Sequence, residues 1–188
     1  MPKLGAEPIR KAALINAAIY EVGRAGSLDV TVSQIARRAG MSPALAHHYF
    51  GSKDRIFLAA MRYILRVYGQ SVREALPGRG PRGRLNAIIQ ASFAPQNFQR
   101  ETVSAWLNFY ALSFVNAEAA RLLEVYRARL RSNLIVALRG LSPDPARTAD
   151  TLGALIDGVY LRAVLTPGPT DADAALNTVM SYLEEALS

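Results

Sequence analysis

The chain has no cysteine. Disulfides, thiol nucleophiles and thiolate metal sites are therefore excluded, and little follows about redox compartment. Histidine is almost as scarce. The two present, His47 and His48, are adjacent, and neighbouring helical residues point about 100° apart, so they cannot easily share a metal ion. With no HExxH pattern, no metal site and no cofactor are expected. Long apolar runs are missing as well: the longest, from Ala105 to Ala117, is interrupted by Asn108, Ser113 and Asn116, short of the ~20 residues that a membrane span needs. The N-terminus shows no apolar leader, and no basic amphipathic helix or anchor signal points to a membrane surface. A cytoplasmic protein is expected. Strand-type alternation is absent too. Apolar residues recur at three and four along most of the chain, so the expected fold is all-α.

What is present begins with charge. The 188 residues are 51% hydrophobic, enough for one sizeable core or two small ones, and carry a net charge of +7. That excess is unevenly placed: through Leu76 there are 11 Lys and Arg against 5 Asp and Glu, and afterwards 11 against 10. A polyanion partner for the N-terminal part follows.

That part contains a helix-turn-helix pattern over residues 31–50. Thr31 and Gln34 stand in capping-box relation and start a short helix at Val32, whose Ile35, Ala36 and Ala39 face inward while Ser33, Arg37 and Arg38 face water or phosphate. Gly40 supplies the left-handed end, and Ser42 followed by Pro43 starts the second helix. In it Ala46 and Phe50 face the core, which turns the pairs Pro43/His47 and Ala44/His48 outward. The first turn of a recognition helix enters the major groove, so Ser42, Pro43, Ala44 and Leu45 are placed at base edges of double-stranded DNA. Few of these side chains can make bidentate hydrogen bonds. Much of the affinity is therefore expected from phosphate contacts by Thr31, His48, Tyr49 and Lys53, with Arg38 free to face phosphate and the outward His47 among the candidate base readers.

Further helices are predicted at 9–23, 52–76, 82–94, 99–115, 117–139, 144–166 and 171–187. The Pro/Gly-rich stretch Leu76-Pro-Gly-Arg-Gly-Pro-Arg-Gly83 separates reader from remainder, with the fourth helix bridging a DNA-binding domain (1–68) and a helical effector and dimerisation domain (69–188). The last two helices carry Leu152, Leu155, Ile156, Val159, Tyr160 and Ala163 on one and Leu176, Val179, Met180, Leu183 and Leu187 on the other. Small Gly153, Ala154 and Gly158 allow close approach, so this pair is expected to dock on a second copy as a four-helix bundle, with intramolecular packing as the alternative.

Trp106, Phe109 and Tyr110 form an aromatic face at i, i+3 and i+4. Such a face is ordinary core unless a cation meets it; a quaternary ammonium has no N–H and is held by ring faces and a nearby carboxylate. Asp157, one turn from Tyr160 in an otherwise apolar helix, is that carboxylate, with Arg162 or a dimer contact as its plainer partner. Phe93 completes the candidate lining.

The segment from Ile9 to about Met61, with Tyr49-Phe50-x-x-Lys53 leading into the fourth helix, resembles TetR-type transcriptional repressors. Met1-Pro-Lys-Leu-Gly5, Ile35-Ala-Arg-Arg-Ala-Gly40, His48-Tyr49-Phe50, Ala105-Trp-Leu-x-Phe109, Ser132-Asn-Leu134 and Ala154-Leu-Ile-Asp-Gly158 resemble the subfamily that represses the choline-to-glycine-betaine pathway. At Ala46-His47 the chain departs from the wider family's usual residues. The resemblance implies a homodimer on operator DNA and choline as effector, leaving betaine aldehyde open. The competing expectations are a repressor sensing another cationic or hydrophobic ligand, a membrane-surface protein, and a small all-α enzyme. The last lacks a nucleophile–base constellation.

Overall fold

A computed structural model describes residues 5–188; the Met1-Pro-Lys-Leu part of the N-terminal motif lies outside them. Nine helices and no strand are found among the described residues: α1 Ala6–Ala25, α2 Val32–Arg38, α3 Pro43–Phe50, α4 Lys53–Ala75, α5 Pro81–Ser92, α6 Arg100–Ser113, α7 Ala117–Leu138, α8 Pro145–Leu165 and α9 Ala172–Leu187. The all-α expectation holds. Helix α1 begins three residues earlier than apolar spacing suggested, because Ala6, Glu7 and Pro8 prolong it without adding core residues.

Side-chain caps set most of the starts. The Thr31–Gln34 capping box is closed in both directions, Ser42 accepts from the Leu45 N–H, and Ser52 accepts from the Arg55 N–H. Asn116, Asp144 and Asp171 do the same for α7, α8 and α9. Each such cap contributes about 1 kcal/mol. Gly40 holds φ at +68° after α2, where a side chain would be strained.

Helices α1–α4 enclose Leu14, Ala18, Val22, Ile35, Ala46, Ile56, Phe57 and Met61, and this core runs without a break into that of α5–α9. The joint is the contact of α1 with α6. A Cβ on Gly23 would stand 2.6 Å from the carbonyl carbon of Glu101 and closer still to its oxygen. Helix α1 therefore rests directly on the first turn of α6. One residue away, Arg100 extends its guanidinium to the carbonyls of Ala163, Val164, Thr166 and Gly168, at 2.8–3.3 Å, closing the C-terminal end of α8. Those carbonyls have no intrahelical partner, and a cation complements the negative end of the helix dipole.

The expected docking pair needs correction. Leu152, Ile156, Val159, Tyr160, Val179 and Leu183 are buried within the chain itself, since α8 also packs on α6 and α7 and α9 on α5. What remains outward on α8 is Ala154, Leu161, Arg162 and Leu165, with Leu155 and Gly158 half-buried. A Cβ on Gly153 or Gly158 would meet nothing within 4 Å. These glycines therefore serve no close packing inside the protomer.

Gly23→Ala forces α1 away from α6 and is expected to destabilise the protein by about 1–3 kcal/mol, the cost of overpacking. Thermal unfolding should show a midpoint lowered by roughly 2–4 °C per kcal/mol; an unchanged midpoint would contradict the close approach.

Candidate functional site

On the reader, α3 presents Pro43, Ala44, His47 and His48 fully outward, with Leu45 only half-exposed. The other expected contact residues have structural partners. Thr31 Oγ1 accepts from the Gln34 N–H at 3.2 Å, and the Thr31 N–H donates to Gln34 Oε1 at 2.7 Å. Arg38 pairs with Glu21 and lies 3.6 Å from the Tyr20 ring centroid, clamping α2 to α1. Lys53 Nζ donates to the Leu28 carbonyl at 3.1 Å, pinning α4 to the loop before α2. Ser42 is spent partly on its cap. Tyr49 accepts from Arg10 Nη1 at 3.3 Å, and Lys11 stands 5.9 Å from its ring. Arg10 and Lys11 thus join the basic surface beside α3. The helix-turn-helix pattern did not point to them; the charge count did.

The second site lies between α4, α6, α7 and α8. Trp106 on α6 meets Tyr110 at 5.1 Å between ring centroids and Tyr126 of α7 at 5.2 Å, and Tyr126 meets Tyr68 of α4 at 5.7 Å. All these pairs are edge-on, the arrangement that ring quadrupoles favour. Tyr68, Trp106, Tyr126 and Tyr160 enclose a space of about 20 Å³, closed by Leu65, Ile64, Asn97 and Thr102. A second trio, Phe93, Phe98 and Tyr160, stands behind it with centroids 5.1–5.9 Å apart. The Tyr160 hydroxyl donates to the Ser92 carbonyl, so this ring is fixed from the end of α5.

Asp157 accepts from the Tyr110 hydroxyl at 2.7 Å. Its partner is therefore Tyr110 and not Arg162, which is exposed on the outer side of α8. Burial pushes the Asp157 carboxyl above its ordinary value, against the pull of the Tyr110 hydrogen bond and the Arg127 charge. Burial first, then the neighbouring carboxylate, raises the Tyr110 phenol well above the usual range and keeps it a neutral donor. Burial pushes Tyr68 up to about 12, against the opposing pull of Ser92. The Arg127 guanidinium stands 5.3 Å from the Tyr110 ring centroid.

Of the six residues singled out from sequence, Trp106 and Tyr160 line this space, Tyr110 packs on Trp106 beside it, and Asp157 lines the neighbouring groove with Tyr126 and Arg127. Phe93 supports Tyr160 from behind. Phe109 is wholly buried and lines neither this space nor the grooves beside it. Tyr68 and Tyr126 were missed, since neither has another ring one turn away on its own helix and only the packing of α4 and α7 brings them to Trp106.

A capped helix-turn-helix reader joined through a long fourth helix to a helical domain with an aromatic recess defines a ligand-responsive DNA-binding regulator. The family profile described as "Bacterial regulatory proteins, tetR family" matches residues 14–60, and that described as "BetI-type transcriptional repressor, C-terminal" matches 81–188. The HTH-type transcriptional regulator BetI of Brucella anthropi is 48% identical over 187 residues, covering 97% of this chain and 96% of that protein. The one from Rhizobium meliloti is 44% identical, covering 100% and 94%. A regulator from Saccharomonospora viridis, solved in complex with choline, has a TM-score of 0.80 at 23% identity, over 93% of this chain and 95% of that one. The chain belongs to the TetR family of transcriptional regulators, as a member of its BetI-type repressors.

The raised Asp157 carboxyl has a consequence for stability. Because its folded value lies above the unfolded value of 3.8, ionising it costs the folded state. The cost is absent below the unfolded value and complete once pH has risen through the folded one. Asp157→Asn, which keeps an acceptor for Tyr110, should therefore melt higher than wild type at about pH 8, with the difference shrinking towards about pH 4. A difference independent of pH would contradict this.

Proposed function

We propose that this repressor is released from its operator by choline, or a closely similar quaternary ammonium such as betaine aldehyde, held among Trp106, Tyr110, Tyr126, Tyr68, Tyr160 and Asp157. The observation that carries the reading is the meeting of three tyrosines and the chain's single tryptophan around one recess, with Tyr110 packed on Trp106 beside it and hydrogen-bonded to the part-buried Asp157 carboxylate. Ring faces attract a cation that has no N–H to donate, and desolvation strengthens that attraction to about 2 kcal/mol per contact. Arg127 already brings positive charge to the Tyr110 ring. The regulator from Saccharomonospora viridis, which shares the fold, was solved with choline.

The recess also suggests how binding is felt at the DNA. Its roughly 20 Å³ admits about one water molecule, far less than a quaternary ammonium occupies. Ligand entry requires α4 to move from α6 and α7, pushed at Ile64, Leu65 and Tyr68. The N-terminal end of α4 follows α3 after only Gly51 and Ser52, so the movement reaches the recognition helix. In a homodimer joined through the outward face of α8, around Ala154, Leu155 and Gly158, two readers must stand about 34–36 Å apart, or a multiple, to meet successive major grooves. A tilt of α4 alters that spacing. The regulated genes are those for choline uptake and its conversion to glycine betaine, in line with the subfamily that the chain resembles.

Operator affinity measured with and without choline tests this. Saturating choline should weaken binding about 5–150-fold, the usual range of such coupling. Asp157→Asn should leave ligand-free operator binding intact and blunt the response. Equal operator affinity at saturating choline would overturn the effector assignment while leaving the DNA-binding function in place.

A further inference from the structure

A groove of about 410 Å³ runs between α4 and α7, beside the aromatic recess, with which it shares Leu65, Tyr68 and Tyr126. Its length follows from helical spacing: Leu65, Tyr68, Gly69, Val72 and Leu76 line one side, and Leu122, Tyr126 and Leu130 the other. From Leu65 to Leu76 it extends about 16 Å at 1.5 Å per residue. The floor is apolar; the charged residues at its edges are Arg62, Arg66, Arg73 and Arg129, with no carboxylate among the lining residues. Arg62 is engaged by Glu118. Among the described residues, Arg66, Arg73 and Arg129 form no ion pair.

We propose that this groove binds a single-chain amphiphile with an anionic head, of the fatty carboxylate class, its chain along the apolar floor and its head among the arginines. The assignment does not rest on the quaternary ammonium reading, although Tyr68 and Tyr126 stand between the groove and the recess. The three guanidiniums at the edge that form no ion pair disfavour a cation such as choline, and guanidinium pairs bidentately with carboxylate. A nucleic acid would meet the arginines but leave the apolar floor unused. The volume lies within the ~300–1,000 Å³ typical of small-molecule sites. Gly69 is what keeps the groove open: a Cβ there would meet only the Arg73 guanidinium, at 3.4 Å.

Calorimetric titration of the full-length protein with dodecanoate, below its micelle concentration, tests the proposal against dodecylammonium, a cation of equal chain length whose head is not the quaternary ammonium proposed for the recess. Dodecanoate should bind at least about tenfold more tightly, a difference of roughly 1.4 kcal/mol. Gly69→Leu places a side chain in the groove on a helix that gains from losing glycine, and should abolish dodecanoate binding while helicity and melting are retained. Replacing Arg66 and Arg129 together by glutamine should weaken dodecanoate and not the cationic amphiphile. Equal or tighter binding of the cationic amphiphile to wild type would overturn the proposal. So would unchanged dodecanoate binding in a folded Gly69→Leu protein.

Discussion

The first turn of α6 is the constraint on which the rest of the molecule depends. There the Glu101 backbone lies against Gly23 of α1, and Arg100 closes the carbonyl end of α8 with four hydrogen bonds. Further along the same helix, Trp106 forms a wall of the aromatic recess, with Tyr110 packed against it. Reader, outward helix and recess are thus fixed to one short rigid element. Any side chain larger than hydrogen at position 23 would separate them, and a neutral residue at position 100 would leave the end of α8 without its donors.

The second constraint acts on α4. This helix belongs to both cores: Ile56, Phe57, Ala60 and Met61 are buried with α1, and Val72 with the second half of the chain. Because interiors are close-packed, a helix so placed shifts as a body and does not bend to fit. A recess too small for its ligand then becomes a lever. The free energy available from several ring faces and one carboxylate is a few kcal/mol, and shifts of that size change operator occupancy by large factors. The reader suits such control. It exposes Pro43, Ala44, His47 and His48 on α3, few of which form strong base-specific hydrogen bonds, which suits the proposed dependence on paired readers and phosphate contacts.

How much of this was legible in the sequence varied with the range of the interactions involved. Caps and turns are local, so Thr31–Gln34, Gly40 and Ser42–Pro43 marked helix ends correctly. The aromatic face at Trp106 and Tyr110 and the anomalous Asp157 were visible from helical periodicity alone. Tyr68 and Tyr126 were not, because nothing in their own neighbourhoods distinguishes them from ordinary core residues. The partner of Asp157 was misjudged for the same reason: Arg162 is near in sequence, whereas Tyr110 lies 47 positions away. Periodicity likewise identifies the apolar sides of α8 and α9 but not which neighbour covers them. The chain's own α6, α7 and α5 take most of those surfaces.

The central claim is that a ligand in the recess changes the spacing of two recognition helices. Since the chain has no cysteine, Ala44→Cys offers a single labelling point on the exposed side of α3. Electron–electron distance measurement between spin labels in the dimer should give one main distance without choline and a displaced distribution at saturating choline. An identical distribution in both conditions, with choline shown to be bound, would contradict the account.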